Sequence, residues 1–213
     1  MKEIMSTAEQ RRLIPAEYLA IEVASERRHE FYAGEMFAMD GGSYWHNLVK
    51  DNLAHSIRNC LADRRCTVLT SDQRVKVDAT GLYTYPDAVV FCGQPVFEDD
   101  VHYSATNPLV LAEVLSDSTE RYDRGVKFGH YRRLPSVEEY LLLAQDRISV
   151  ERYRRQSTAD GGAWILTAVT DPAGAVEIES LGISVPVAEI YADVDFPPAA
   201  AQAESPPAER RPG

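Results

Sequence analysis

From Leu109 to Leu115 every residue is apolar except Glu113. An aliphatic run of this length, opened by Pro108 and closed by Ser116-Asp117-Ser118-Thr119, suits a strand covered on both faces. Side chains alternate along a strand, so Leu109, Leu111, Glu113 and Leu115 share one face and Val110, Ala112 and Val114 the other. A carboxylate in such a run carries a large desolvation cost unless it is paired, hydrogen-bonded or bound to a metal. Whatever fold this chain adopts must cover that strand on both sides and find a partner for Glu113.

The next segment offers the partner. Ser118 or Thr119 is placed to cap a helix, with Glu120 in its first turn. Lys127, Tyr131 and Leu134 then fall on one stripe at helical spacing, with Asp123 one turn earlier. Tyr131 and Leu134 are residues of a core-facing stripe, and Lys127 stands among them. Glu113 and Lys127 therefore read as two halves of one site.

Around this unit the chain orders itself as follows. Ile14 to Val23 reads as a helix with Pro15 in its first turn. A hairpin runs from Glu30 to Tyr32, through Ala33-Gly34, to Glu35–Met39. A long helix spans Ser43 to Ala62, with His46 in its first turn. Cys66–Thr70 and Arg74–Asp78 are strands. Tyr85-Pro86-Asp87 opens a further strand, Ala88–Cys92, since proline is acceptable where a strand begins. Asp87, Val89 and Phe91 share a face there, so a second carboxylate points where aliphatic side chains point. Gly93–Asn107 is an irregular acidic loop. Glu139–Ala144 and Ile148–Tyr153 form a hairpin, Trp164–Val169 and Val176–Ser180 continue as strands, and Val185–Tyr191 closes the fold. This order predicts an α/β (α+β) sandwich, a mixed central β-sheet flanked by helices with additional hairpins.

With 213 residues, 45% of them hydrophobic, the chain has enough length for one sizeable core. Residues 1–13 read as an N-terminal extension, 14–196 as a single domain, and 197–213, rich in Pro and Ala without apolar periodicity, as a disordered tail. No apolar h-region opens the chain and no apolar run approaches the ~18–20 residues of a membrane span. Cys60, Cys66 and Cys92 make an odd count without a CxxC pair and read as reduced core thiols. These features suit a soluble, cytoplasmic protein. A net charge of −11 argues against coating DNA by bulk electrostatics. A local basic surface could still form from Arg121, Arg124, Lys127, Arg132, Arg133, Arg147, Arg152, Arg154 and Arg155, which read equally as a solvated helix face and hairpin edge.

Two acids at strand ends with a nearby lysine suggest metal-assisted hydrolysis. Mg²⁺ takes oxygen ligands, usually one or two carboxylates, and keeps several waters. The spacing of Pro86-Asp87 and Glu113-Val114-Leu115 resembles the PD-(D/E)XK nuclease pattern of the restriction endonuclease-like fold. More specifically, the chain resembles the Uma-type restriction endonuclease family. EFYAGE, Gly42 to His46, YPDAVVF, LAEVLSDSTERYDRGVKFGHYRRLPSVEEYLLL and the late strand with Trp164 carry the likeness, over roughly Pro15 to Val194. The resemblance implies a metal-dependent endonuclease acting on DNA, with Mg²⁺ (or Mn²⁺ in its place) held by Asp87, Glu113 and the Val114 carbonyl, and a homodimer of the kind relatives of this fold often form. Leu115 stands where the pattern has its lysine, and the matching lysine is Lys127 on the following helix. Glu30 and His46 match further positions typical of the family, and one or both are expected to line the site. Plainer readings stand beside these: Asp87 as a strand-start hydrogen-bond acceptor, Glu113–Lys127 as an inert pair, Lys127 snorkelling to solvent, and Glu30 and His46 as structural residues. The alternative functions are an inactive nucleic-acid- or protein-binding module on the same fold and a hydrolase of small nucleotides.

Overall fold

The computed structural model describes residues 11–156 and 162–196. The tail at 197–213, and residues 1–10 of the extension, lie outside the described residues. Helix α1 (Pro15–Ala24) leads into strands β1 (His29–Tyr32) and β2 (Glu35–Ala38), then helix α2 (Tyr44–Cys60). Strands β3 (Cys66–Thr70), β4 (Val75–Val77), β5 (Leu82–Thr84), β6 (Ala88–Cys92) and β7 (Val110–Leu115) follow. A helical stretch is built from α3 (Glu120–Tyr122), a π-helical turn (Asp123–Lys127) and α4 (Phe128–Tyr131). The chain closes with β8 (Glu139–Ala144), β9 (Val150–Gln156), β10 (Ala163–Val169), β11 (Ala175–Ile178), β12 (Ile183–Pro186) and α5 (Val187–Ile190).

Six strands form the main sheet in the order β10-β9-β8-β7-β6-β3, with β7 and β8 parallel and the other neighbours antiparallel. Parallel neighbours need a crossover, and the stretch from α3 to α4 provides it. A second sheet runs β2-β1-β5-β4, and β11 and β12 pair as a hairpin. The β1–β2 turn has Ala33 and Gly34 at φ 51° and 88°, the left-handed pair that a tight hairpin requires.

The predicted alternation along β7 is what organises the core. Val110, Ala112 and Val114 pack with Ala88 and Val90 of β6, Leu141 and Leu143 of β8, and Val49, Leu53 and Ile57 of α2. Leu111 and Leu115 pack on the opposite face with Val89, Phe91, Tyr140, Leu142, Tyr131 and Leu134. Leu109, expected on the second face, precedes the strand and packs against the first. Helix α1 covers the smaller sheet through Tyr18 and Leu19 against Phe31 and Tyr83.

Three expectations are corrected. Cys66 and Cys92 are directly opposite each other in the β3–β6 ladder and form a disulfide, while Cys60 is exposed. Counting cysteines cannot reveal this, because strand register decides which two meet. Disulfides are rarer in reducing than in oxidising compartments, so this bond weighs against the cytoplasmic reading. Second, no side chain caps α3: Ser116 accepts the Thr119 and Glu120 N–H groups through its backbone carbonyl, at 3.0 and 2.8 Å. Third, β5 had no counterpart in the sequence reading, and the closing element read as Val185–Tyr191 divides into the end of β12 and α5. No helix among the described residues is long and apolar enough to cross a membrane.

Candidate active site

Glu113 lies on the face of β7 that the crossover helix covers, and 4% of it is exposed. The Lys127 ammonium lies 2.9 Å from Glu113 Oε1, and the Tyr131 hydroxyl donates to the same oxygen at 2.7 Å. Lys127 is itself 3% exposed, so its amine turns inward rather than snorkelling. It also lies 3.1 Å from Glu30 Oε1 and 3.6 Å from Asp123 Oδ1. Glu30 reaches the site from β1 and accepts a hydrogen bond from Thr84 on β5 at 2.6 Å. The smaller sheet thus contributes one wall.

Asp87 arrives from the other side. Pairing of β6 with β7 ends at Ala88↔Ala112, and Asp87 Oδ2 accepts the next available N–H, that of Val114, at 2.8 Å. Its Oδ1 meets His46 Nε2 at 3.0 Å. His46 Nδ1 is buried and has no hydrogen-bond partner, so the proton belongs on Nε2, facing the carboxylate. Ser43 caps this end of α2 by accepting the His46 N–H at 3.0 Å, which fixes the start of the helix that presents the ring. The ring lies against Gly42: a Cβ there would sit 2.4 Å from His46 Cδ2. Gly42→Ala is therefore expected to push the imidazole off Asp87 and to slow any reaction at this site by about 10- to 100-fold without unfolding the protein. Turnover measured beside a thermal melt checks this, and an undiminished rate would show that the ring has no positioning role.

The structure thus brings together all five side chains singled out from the sequence: Glu30, His46, Asp87, Glu113 and Lys127. It adds two whose role the sequence left unread. Tyr131 was read as core and is a hydrogen-bond donor to Glu113. Asp123 was visible on the Lys127 stripe, the one signal available, yet nothing in its spacing said that it turns inward.

Electrostatics follow from four carboxylates around one ammonium. Burial pushes Glu113 up to about 8, and the charges of Asp123 and Asp87 add to that against the pull of Lys127. Burial also raises Asp123. It works against the charged form of Asp87 as well, but His46, the Val114 N–H and Lys127 outweigh it and hold that carboxyl below its usual value. Lys127 loses stability as a cation through burial, and Glu113, Glu30 and Asp123 more than restore it, so its pKa lies well above normal. A lysine held this way stays charged at neutral pH. It can neutralise developing negative charge or orient a water, but it is no proton acceptor.

No group of three His, Cys, Asp or Glu side chains among the described residues is arranged to hold a metal alone. The donors nonetheless suit a hard divalent cation that keeps its waters: two carboxylates and a backbone carbonyl, in a pocket with surplus negative charge. Oε1 of Glu113 is engaged by Lys127 and Tyr131, whereas no hydrogen bond among the described residues reaches Oε2.

An uncharacterised protein of Synechocystis sp., sll1609, is 33% identical over 180 residues, covering 84% of this chain and 100% of its own. A second from the same organism, slr1290, is 33% identical over 185 residues, covering 87% and 94%. The fold matches the crystal structure of "a putative nuclease belonging to DUF820" from Anabaena variabilis, with a TM-score of 0.61 and 16% identity over 78% of this chain and 91% of that one. Residues 15–188, which carry every side chain of the site, match the Uma2 family, described as "Putative restriction endonuclease", and the chain belongs to that family.

Proposed function

We propose that this protein is a metal-dependent endonuclease that hydrolyses DNA phosphodiester bonds. The observation that carries the reading is the convergence of Asp87, Glu113 and Lys127, from three separate elements, in a buried and over-acidic pocket. Asp87, Glu113 and the Val114 carbonyl would hold Mg²⁺, with Mn²⁺ as a substitute. The bound ion would supply Lewis-acid stabilisation of phosphoryl oxygens and a lower pKa for a coordinated water. Lys127, fixed as a cation by Glu113 and Glu30, lies where it can hold a water by its N–H groups and offset charge that develops at the phosphate. Tyr131 keeps Glu113 in place by donating to Oε1, which leaves Oε2 for the cation. His46 orients Asp87 through its contact with Oδ1. A homodimer and a cytoplasmic location belong to the same reading, although the disulfide weighs against the latter.

Cleavage of single- and double-stranded DNA with Mg²⁺ or Mn²⁺, beside Asp87→Ala and Glu113→Ala, tests it. Activity is expected only in the unsubstituted protein; cleavage that survives both substitutions refutes the assignment.

One observation favours a smaller substrate. Half of the arginines that could have formed a basic surface are occupied by partners within the chain. Arg124 pairs with Glu120 and Glu151, and Arg152 and Arg154 pair with Glu179. Arg155 donates to Val137 and Leu134 carbonyls and stacks over Trp164. Arg121, Arg132, Arg133 and Arg147 remain exposed. Faster hydrolysis of nucleotides than of oligonucleotides would move the assignment to a small-nucleotide hydrolase.

A further inference from the structure

Asp123 is 3% exposed and opens the π-helical turn that ends at Lys127. An exposed helical ion pair at this spacing is a minor stabiliser. Burying a carboxylate costs far more than such a pair returns, so its retention here calls for another reason. The turn supplies one. In a regular α-helix, residues four apart are rotated by about 40° from each other. The wider π turn changes that offset, and across it Asp123 and Lys127 are both buried with their charged groups 3.6 Å apart. Short π-helical insertions of this kind are frequent at functional sites. Gly125, the poorest helix former apart from proline, lies inside the turn and has open space beside it, so the sequence does not defend regular helix there. The Tyr140 hydroxyl, from the second residue of the fully buried strand β8, donates to the Asp123 carbonyl at 3.2 Å and pins the turn against the sheet.

Resting on the nuclease reading above, we infer that Asp123 is a positioning residue of this site: through the π turn it holds the Lys127 ammonium between Glu113 and Glu30, and the rate of cleavage depends on it. Lys127 has one carboxylate on β7, one on β1 and one on its own helix. Without the third, the ammonium is drawn toward the sheets alone and shifts from the place where a water or phosphate would meet it. Asp123 acts on the reaction only through Lys127.

Asp123→Asn keeps the shape and removes the charge. It is expected to lower kcat by about 10- to 100-fold, with KM for DNA unchanged. Asp123→Glu, which restores the charge, is expected to recover most of that loss. A purely structural role would lower the melting temperature and leave kcat per folded molecule intact, and that result overturns the proposal. Where the Asn variant does not fold, Asp123→Ser takes its place. A second measurement needs no activity: the ¹H–¹⁵N signal of the Lys127 ammonium in the metal-free protein. It is expected to be visible in the unsubstituted protein and lost to solvent exchange in the Asn variant; identical signals in both overturn the inference. If the unsubstituted protein cleaves no DNA, the nuclease reading fails by itself and this signal decides the role of Asp123.

Discussion

Lys127→Met is expected to destabilise the protein by about 3–5 kcal/mol, the cost of leaving buried charges without their partner. At this chain length that corresponds to a melting temperature lower by roughly 6–20 °C. Methionine fills a similar volume, so the loss reports charge rather than packing. Glu30, Glu113 and Asp123 would face one another with no cation between them. The sign of the pH dependence follows. The Lys127 amine has its pKa raised well above normal in the folded protein, so its contribution is complete below its ordinary value and lost only as pH climbs through the raised one. The unsubstituted protein therefore keeps the whole of it at neutral pH, and the variant lacks all of it. In the variant the stranded carboxyls can take up protons, so its deficit should shrink from pH 8 to pH 5. Thermal melts at both values read this directly, and a melting temperature equal to that of the unsubstituted protein would mean that residue 127 contributes no buried ion pair.

Glu113→Gln is expected to do the reverse. Its amide oxygen can still accept from Lys127 and Tyr131, but the buried negative charge is gone. Folding raises this carboxyl from 4.5 to about 8, so the folded chain holds the proton more tightly than the unfolded one does. Stability from this group is therefore full below its unfolded value and falls as pH rises toward about 8. The Gln variant removes that loss, and Lys127 keeps Glu30 and Asp123 as partners, so above pH 8 the variant should be the more stable of the two. Cleavage should fall at least about 1000-fold, roughly 4 kcal/mol of transition-state stabilisation, because a neutral amide cannot replace a carboxylate as a cation ligand. A gain in stability with a loss of activity is the signature of a residue kept for chemistry at the expense of the fold. Melts and turnover on one preparation check both halves; a variant that loses stability and keeps activity would identify Glu113 as an ordinary buried partner of Lys127.

Much of this architecture was legible in the residues alone. Period-two alternation in LVLAEVL put Glu113 on a core face, and period-3.6 spacing put Lys127, Tyr131 and Leu134 on one stripe, because local periodicity is a direct record of which sides of an element avoid water. The string EVLSDSTERYDRGVK pointed to the family that the match over residues 15–188 bears out. Other features left no local trace. The Cys66–Cys92 bond depends on β3–β6 register, and the His46–Asp87 contact joins residues 41 positions apart. Three of the arginines that looked like a basic face, Arg124, Arg152 and Arg154, are paired with Glu151 or Glu179, which lie elsewhere in the chain. The π turn arises where a glycine-containing helix is pinned by Tyr140 against the sheet. Pattern along the chain determines which face of each element is buried. The charges that meet across those faces are set by register, crossover and packing, which come into being only when the layers close.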